Sequence, residues 1–172
     1  MKEVAVQYFV EGDDEKKLVN TLKNQLGVIR PGKVQKLNVI ENKIPMRVLR
    51  PLKKGTVVVL IFDTDTGKID ILNSNIEMLK GCTYISKVIT IPQVKKLEHE
   101  LVHCCDIKNI LELLNSRSEK DFKSDLIRVT NLDSKLKEHR FDIKLFWNRQ
   151  PDFPYQKIAN EAEQIKLIKK QH

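Results

Sequence analysis

The stretch TVVVLIF (residues 56–62) decides the fold, because it is apolar on both faces and rich in β-branched residues. Such a strand is typical of the centre of a parallel sheet that is covered by helices. VAVQYFV (residues 4–10) predicts a second buried strand, and residues 34–40 and 84–91 predict two more. Helical spacing of apolar residues follows three of these strands. The sequence therefore predicts an α/β fold with a parallel sheet of about four strands and right-handed crossovers.

The second half of the chain has a different pattern. From residue 94 onward, apolar positions recur mainly at helical spacing. Residues 1–92 are therefore predicted to form the α/β core, and residues 93–172 a mainly helical extension packed on the same domain. The tail from residue 158 is predicted to be a weakly amphipathic helix.

Length and cysteine content set the broad class. A chain of 172 residues is expected to form one domain, or one domain with a small appendage. It contains no apolar run of about 18 residues, so no membrane span is expected. The three cysteines are Cys82, Cys104 and Cys105, and two of them are adjacent. A disulfide framework is therefore not expected, which favours a cytoplasmic protein.

Positive charge is concentrated between Arg30 and Lys54. Eight basic residues there oppose one acid, Glu41, so eight minus one, or seven, of the eight net charges lie in this segment. Such a run is typical either of a solvated face or of a surface that binds a polyanion. The residues that we expect to contact nucleic acid within it are Arg30, Lys33, Lys36, Arg47, Arg50, Lys53 and Lys54.

Acidic residues follow two of the predicted strands at the point where each strand ends. Glu11 comes directly after residues 4–10, Asp63 comes directly after residues 56–62, and Asp65 follows two positions later. The carboxyl ends of parallel strands open on one crevice, so we expect these carboxylates to meet. Cations relieve their repulsion, and Mg²⁺ prefers oxygen ligands and also binds phosphate. The group therefore predicts a metal site for phosphodiester chemistry, although each acid alone is equally explained as a helix cap or turn residue.

Two motifs resemble those of Toprim (topoisomerase–primase) domains. VEGDDE (residues 10–15) looks like the glutamate motif of that family, and FDTD (residues 62–65) looks like its paired-aspartate motif. The resemblance covers about residues 3–92 and implies a Rossmann-like parallel sheet. It also implies that Glu11 is a general acid/base or metal ligand, and that Asp63 and Asp65 bind Mg²⁺ or Mn²⁺.

In nuclease branches of that family, a later acid or lysine often completes the site. By resemblance, Glu98 becomes a candidate catalytic or metal-binding residue, and Lys95 and Lys96 become candidate phosphate contacts. A mixed-charge surface helix is the alternative interpretation of these three residues.

The function that we expect is a Mg²⁺-dependent nuclease acting on RNA or DNA, in phage defence or RNA processing. The chain is too short to hold the additional domains of a topoisomerase or primase. The alternative is a non-catalytic nucleic-acid-binding or regulatory Toprim module that works with a partner protein such as an ATPase. Four aromatic residues near the C-terminus are predicted either to stack bases or to form a small core: Phe146, Trp147, Phe153 and Tyr155.

Overall fold

The computed structural model describes residues 3–168 and contains a four-stranded, all-parallel sheet. In chain order the strands are β1 (Val6–Val10), β2 (Lys33–Lys36), β3 (Thr56–Asp63) and β4 (Ile85–Gln93). Their order across the sheet is β2-β1-β3-β4. The predicted α/β fold with a parallel sheet of about four strands is confirmed.

Helices connect and follow the strands. In chain order they are α1 (Asp13–Asn24), α2 (Met46–Leu49), α3 (Asp70–Lys80), α4 (Leu97–Cys104), α5 (Leu111–Leu114), α6 (Glu119–Arg128) and α7 (Leu132–Glu138). Across residues 3–168, none of the helices combines the length and apolar character that crossing a membrane requires.

The two faces of the sheet are buried in separate cores, because successive side chains of a strand point to opposite faces. Along β3, Val57, Val59 and Ile61 pack with apolar residues of α1, α4, α6 and α7. The alternate residues, including Leu60 and Phe62, pack with α2, α3 and the buried Tyr155. The helices α4, α6 and α7, which follow β4, therefore contribute to the same core as α1, although less than half of residues 93–168 are helical.

Three segments differ from their predictions. The second strand was predicted over residues 34–40, whereas β2 covers Lys33–Lys36 and residues 37–40 leave the sheet and form a turn. The fourth strand was predicted to end before Pro92, whereas β4 continues to Gln93. A proline is tolerated there because β4 lies at the edge of the sheet, where one side of the backbone has no strand partner. The prediction of a helix from residue 158 is wrong within the described part of the chain, because the tail forms a short 3-10 helix (Ala162–Gln164) and pairs Lys166 with Ile29 as an antiparallel bridge. Residues 169–172 of that predicted helix lie outside the described residues.

Candidate metal site

Two neighbouring strands bring the first two carboxylates together. Glu11 follows the last residue of β1, and Asp63 is the last residue of β3. These strands pair in parallel with Phe9 opposite Leu60, so both chains leave the sheet at the same edge. The backbone N–H of Asp63 donates a hydrogen bond to Glu11 Oε1 at 3.2 Å, which fixes one side chain against the other strand.

Glu15 completes a compact group of three carboxylates. One oxygen from each of Glu11, Glu15 and Asp63 lies within 4.8 Å of the others. Glu15 reaches back from the first turn of α1, and its Oε2 accepts a hydrogen bond from the N–H of Gly12 at 3.1 Å. A Cβ at Gly12 would lie only 2.8 Å from Asp14 Oδ1, so glycine lets the helix start closely against the strand end. The sequence reasoning did not include Glu15 among the ligands.

Burial and mutual repulsion disfavour the ionised forms of these three carboxyl groups. Burial, followed by the charge of Glu11, raises the pKa of Asp63 to about 9. Burial, followed by a hydrogen bond from the protonated Glu15 to Asp14 and then by nearby charges, raises the pKa of Glu15 to about 10. Burial also raises the pKa of Glu11, and the charge of Asp65 adds to that shift. A bound cation would favour the ionised forms of all three side chains, because opposite charge lowers the pKa of a carboxyl group.

Asp65 lies beside the compact group and is exposed. Its backbone belongs to a loop that is held by hydrogen bonds of the Thr64 and Tyr155 hydroxyl groups. The Thr64 hydroxyl donates to Gln93 O at 2.7 Å and accepts from the N–H of Lys95 at 3.0 Å. The Tyr155 hydroxyl donates to Lys68 O at 2.7 Å. Asp65 is therefore held near the site, although its carboxylate is outside the group within 4.8 Å.

A buried hydrogen-bond chain orients Asp63. Gln93 Nε2 donates to Asp63 Oδ1 at 2.7 Å, and Trp147 Nε1 donates to Gln93 Oε1 at 3.1 Å. Because an indole N–H is only a donor, it must face the oxygen of the amide, and the amide nitrogen must then face Asp63. Both Gln93 and Trp147 are almost fully buried, so this orientation is fixed by packing. Neither residue was predicted from the sequence as part of the site.

Glu98 lies close to the site but is not part of the compact group. It is 5% exposed, near the start of α4, and its Oε1 makes no hydrogen bond to any described residue. Lys123 of α6 places its Nζ 3.7 Å from that oxygen. Burial lowers the pKa of Lys123, but the charges of Glu98, Asp14, Glu15 and Asp63 outweigh burial and raise it. Lys123, which the sequence reasoning missed, therefore lies between Glu98 and the acidic group.

The two lysines after β4 have different surroundings. Lys95 is exposed and adopts a left-handed backbone conformation with φ of 63°. Its carbonyl accepts a hydrogen bond from the N–H of Thr64 at 2.8 Å, so Lys95 lies next to the loop that carries Asp65. Lys96 forms an ion pair with Glu119 at 3.5 Å.

The basic segment lies mainly at other parts of the surface. Lys33 begins β2, and Lys53 and Lys54 precede β3, so these three residues lie at the amino-terminal edge of the sheet, opposite the carboxylates. Lys36 ends β2 at the carboxylate edge and pairs with Asp13 at 3.1 Å. Arg47 and Arg50 are exposed on and directly after α2, whereas Arg30 is half-buried before β2, where its carbonyl accepts a hydrogen bond from the Tyr8 hydroxyl at 2.7 Å.

The aromatic residues near the C-terminus are mostly structural. Phe146, Trp147 and Tyr155 are buried, whereas Phe153 is 84% exposed. Base stacking therefore remains open only to Phe153 among these four.

No protein-family model matches the chain, and the searches of curated proteins and solved structures gave no match either. The resemblance to Toprim domains therefore stays a prediction from the two motifs.

Proposed function

We propose that the protein is a divalent-metal-dependent nuclease that hydrolyses phosphodiester bonds of RNA or DNA. The observation that carries the proposal is the meeting of Glu11, Glu15 and Asp63 within 4.8 Å at the carboxyl ends of two central strands. Ligand sites of open parallel sheets lie at this edge. The two motifs that resemble Toprim domains contribute all three residues and Asp65.

The donor set fits Mg²⁺ or Mn²⁺. All three side chains offer carboxylate oxygens, which hard divalent cations prefer, and the group has no thiol or imidazole ligand. Burial, and then neighbouring acidic groups, raise the pKa of Asp63 and Glu15, and a bound cation would oppose both effects by favouring the ionised carboxylates. Glu11, Glu15 and Asp63 would hold the ion, and Asp65 is near enough to contribute. A bound Mg²⁺ would supply charge neutralisation at a phosphate oxygen.

The protein's own side chains provide the other functions that hydrolysis needs. Lys123 lies within electrostatic range of the acidic group, and Lys95 is an exposed cation whose backbone bonds to Thr64 in the Asp65 loop, so each is suited to attract a phosphate. Glu11, at the strand end beside Asp63, is suited either to hold the ion or to take a proton from the attacking water. The Trp147–Gln93–Asp63 chain keeps Asp63 in one orientation.

Cleavage of labelled nucleic acid tests this function directly. Purified protein is incubated with single-stranded RNA, single-stranded DNA and duplex DNA in Mg²⁺, Mn²⁺ or EDTA. We expect cleavage of at least one substrate with metal, none in EDTA, and none by the Asp63→Asn, Asp65→Asn double variant. Asp70→Asn is the matched control, because Asp70 is an exposed aspartate in the first turn of α3.

Calorimetric titration separates a metal site from an unrelated acidic cluster. We expect the double variant at Asp63 and Asp65 to lose Mg²⁺ binding, and unchanged affinity would contradict the site. Metal binding and nucleic-acid binding without cleavage of any substrate would instead support a non-catalytic module that depends on a partner protein.

A further inference from the structure

A cavity beside the proposed metal site has the composition of a nucleotide-binding pocket. It lies between α4 and the segment leading into α5, and its volume is about 460 Å³. That volume is within the range of pockets that hold small ligands, which starts at about 300 Å³. Its apolar lining comes from Val102, Ile110 and Leu111.

Cations line the rim of the same cavity. Lys96, Lys108 and Arg149 carry fixed positive charge, and His99 and His103 add ring nitrogens. Lys96 is paired with Glu119, whose side chain is 68% exposed, so a phosphate can replace that carboxylate at little cost. An apolar floor with a cationic rim suits a flat base attached to a phosphate.

One buried cationic atom in this wall lacks a partner. Nε of Arg149 is buried and makes no hydrogen bond within the described residues. The same guanidinium lies 3.6 Å from the buried carboxylate of Glu100, which in turn accepts the N–H of Val94 at 2.7 Å. Arg149 is therefore held in place by the turn after β4, and its side chain is 35% exposed, so the guanidinium remains accessible to a phosphate in the cavity.

Glu98 lies between the cavity and the surroundings of the acidic group. It lines the cavity, and its buried Oε1 is 3.7 Å from Lys123, which is also within electrostatic range of Glu15 and Asp63. Glu98 and Lys123 therefore connect the cavity wall with the neighbourhood of the proposed metal site.

We propose that the cavity between α4 and α5 binds one nucleotide of the substrate strand next to the phosphodiester that is cleaved. The base lies on Val102 and Leu111, and the phosphate contacts Lys108 and Arg149. This inference rests on the proposed nuclease function for its role, but the binding itself needs no metal.

Binding of AMP and adenosine in EDTA tests the cavity alone. We expect AMP at millimolar concentration to give saturable amide shifts of Val102 and Lys108–Leu111 in ¹H–¹⁵N NMR spectra. Val102→Trp fills the cavity and should abolish these shifts for both compounds. Lys108→Gln, at an exposed residue, should weaken the binding of AMP but not the binding of adenosine. The control Lys87→Gln, at an exposed lysine of β4 outside the cavity lining, should leave both unchanged.

Cleavage kinetics then test the role in substrate binding. We expect Val102→Trp and Lys108→Gln to raise KM by about tenfold with unchanged kcat, equal to roughly 1.4 kcal/mol of binding. Wild-type KM in both variants, or absence of AMP shifts at these amides, would overturn the inference while leaving the nuclease proposal intact. AMP binding that Val102→Trp abolishes, in a protein that cleaves no nucleic acid, would support the cavity and refute the nuclease.

Discussion

Replacing Glu15 with glutamine measures how much the buried, ionisable carboxyl group of Glu15 lowers the free energy of unfolding. Glu15 is 5% exposed, and burial is the largest cause of its raised pKa, followed by Asp14 and Asp63. Glutamine keeps the length of the side chain and an oxygen that can accept the hydrogen bond from Gly12. The substitution therefore removes an ionisable group and preserves the start of α1.

The magnitude follows from the pKa of Glu15 in the two states. In the unfolded chain the group has an ordinary pKa of 4.5, whereas in the folded protein its pKa is about 10. Between these values the unfolded chain releases a proton that the folded protein retains, so the group lowers stability increasingly as pH rises from about 4.5 to 10. At pH 7 the unfolded group is about 2.5 pH units above its pKa. Each unit corresponds to about 1.4 kcal/mol, which gives about 3 kcal/mol without metal.

Urea unfolding in EDTA at pH 5 and pH 7 measures this effect. We expect Glu15→Gln to raise the free energy of unfolding by about 3 kcal/mol at pH 7 and by less than about 1 kcal/mol at pH 5. Glu77→Gln, at an exposed glutamate of α3, is the control and should change neither value appreciably. An equal gain at both pH values, or a loss at pH 7, would refute the electrostatic reasoning. Added Mg²⁺ should then stabilise the wild type more than the variant, since ligand binding stabilises the folded state in proportion to affinity.

Four further variants test the surroundings of the acidic group and the basic segment. Gln93→Leu leaves the buried Trp147 N–H unpaired, so we expect a loss of about 1–3 kcal/mol in urea unfolding and weaker Mg²⁺ binding by calorimetry; wild-type values for both would remove Gln93 from the site. Lys123→Met should lower the single-turnover cleavage rate by about 10²-fold, and Glu98→Gln by less, because Lys123 keeps its other acidic neighbours; an unchanged rate in Lys123→Met would exclude its phosphate role. A quadruple variant replaces four basic residues of the basic segment with glutamine: Arg47, Arg50, Lys53 and Lys54. We expect the slope of log nucleic-acid affinity against log salt concentration to become shallower by about 0.7–0.9 per lost phosphate contact. An unchanged slope would show that the segment is a solvated face.

The positions of Glu11 and Asp63 follow from local sequence because strand ends are local features. An apolar run followed by an acid identifies the end of a buried strand, and parallel strands end at one edge. Predicting Glu15 as a member of the group requires the position of the helix cap as well. Glu15 is three residues after Gly12, the residue that caps α1, and a glutamate at that position folds back towards the start of its helix. That spacing was visible in the sequence and would have added Glu15 to the group.

The Trp147–Gln93–Asp63 chain was not predictable in the same way, because it depends on strand order. Pro92 indicates the end of a strand if the strand is central, but it is allowed if the strand lies at an edge. Since β4 is an edge strand, it continues through Pro92 to Gln93, and Gln93 then lies opposite Asp63 of β3. Trp147 then reaches Gln93 from 54 residues along the chain. No local pattern fixes either relation.

In the basic segment, residues that are close in the sequence are far apart in the structure. Lys33 and Lys36 are three residues apart, yet they lie at opposite ends of β2, because a strand carries its residues from one edge of the sheet to the other. Lys53 and Lys54 precede β3 and Asp63 ends it, and the eight residues of β3 span about 23 Å in seven steps of 3.3 Å. One strand of a DNA duplex needs about seven nucleotides to span that distance at 3.4 Å each. Cations at the amino-terminal edge can therefore strengthen the binding of long substrates without touching the phosphate at the acidic group. The cations suited to that phosphate are Lys95 and Lys123, which come from two other parts of the chain.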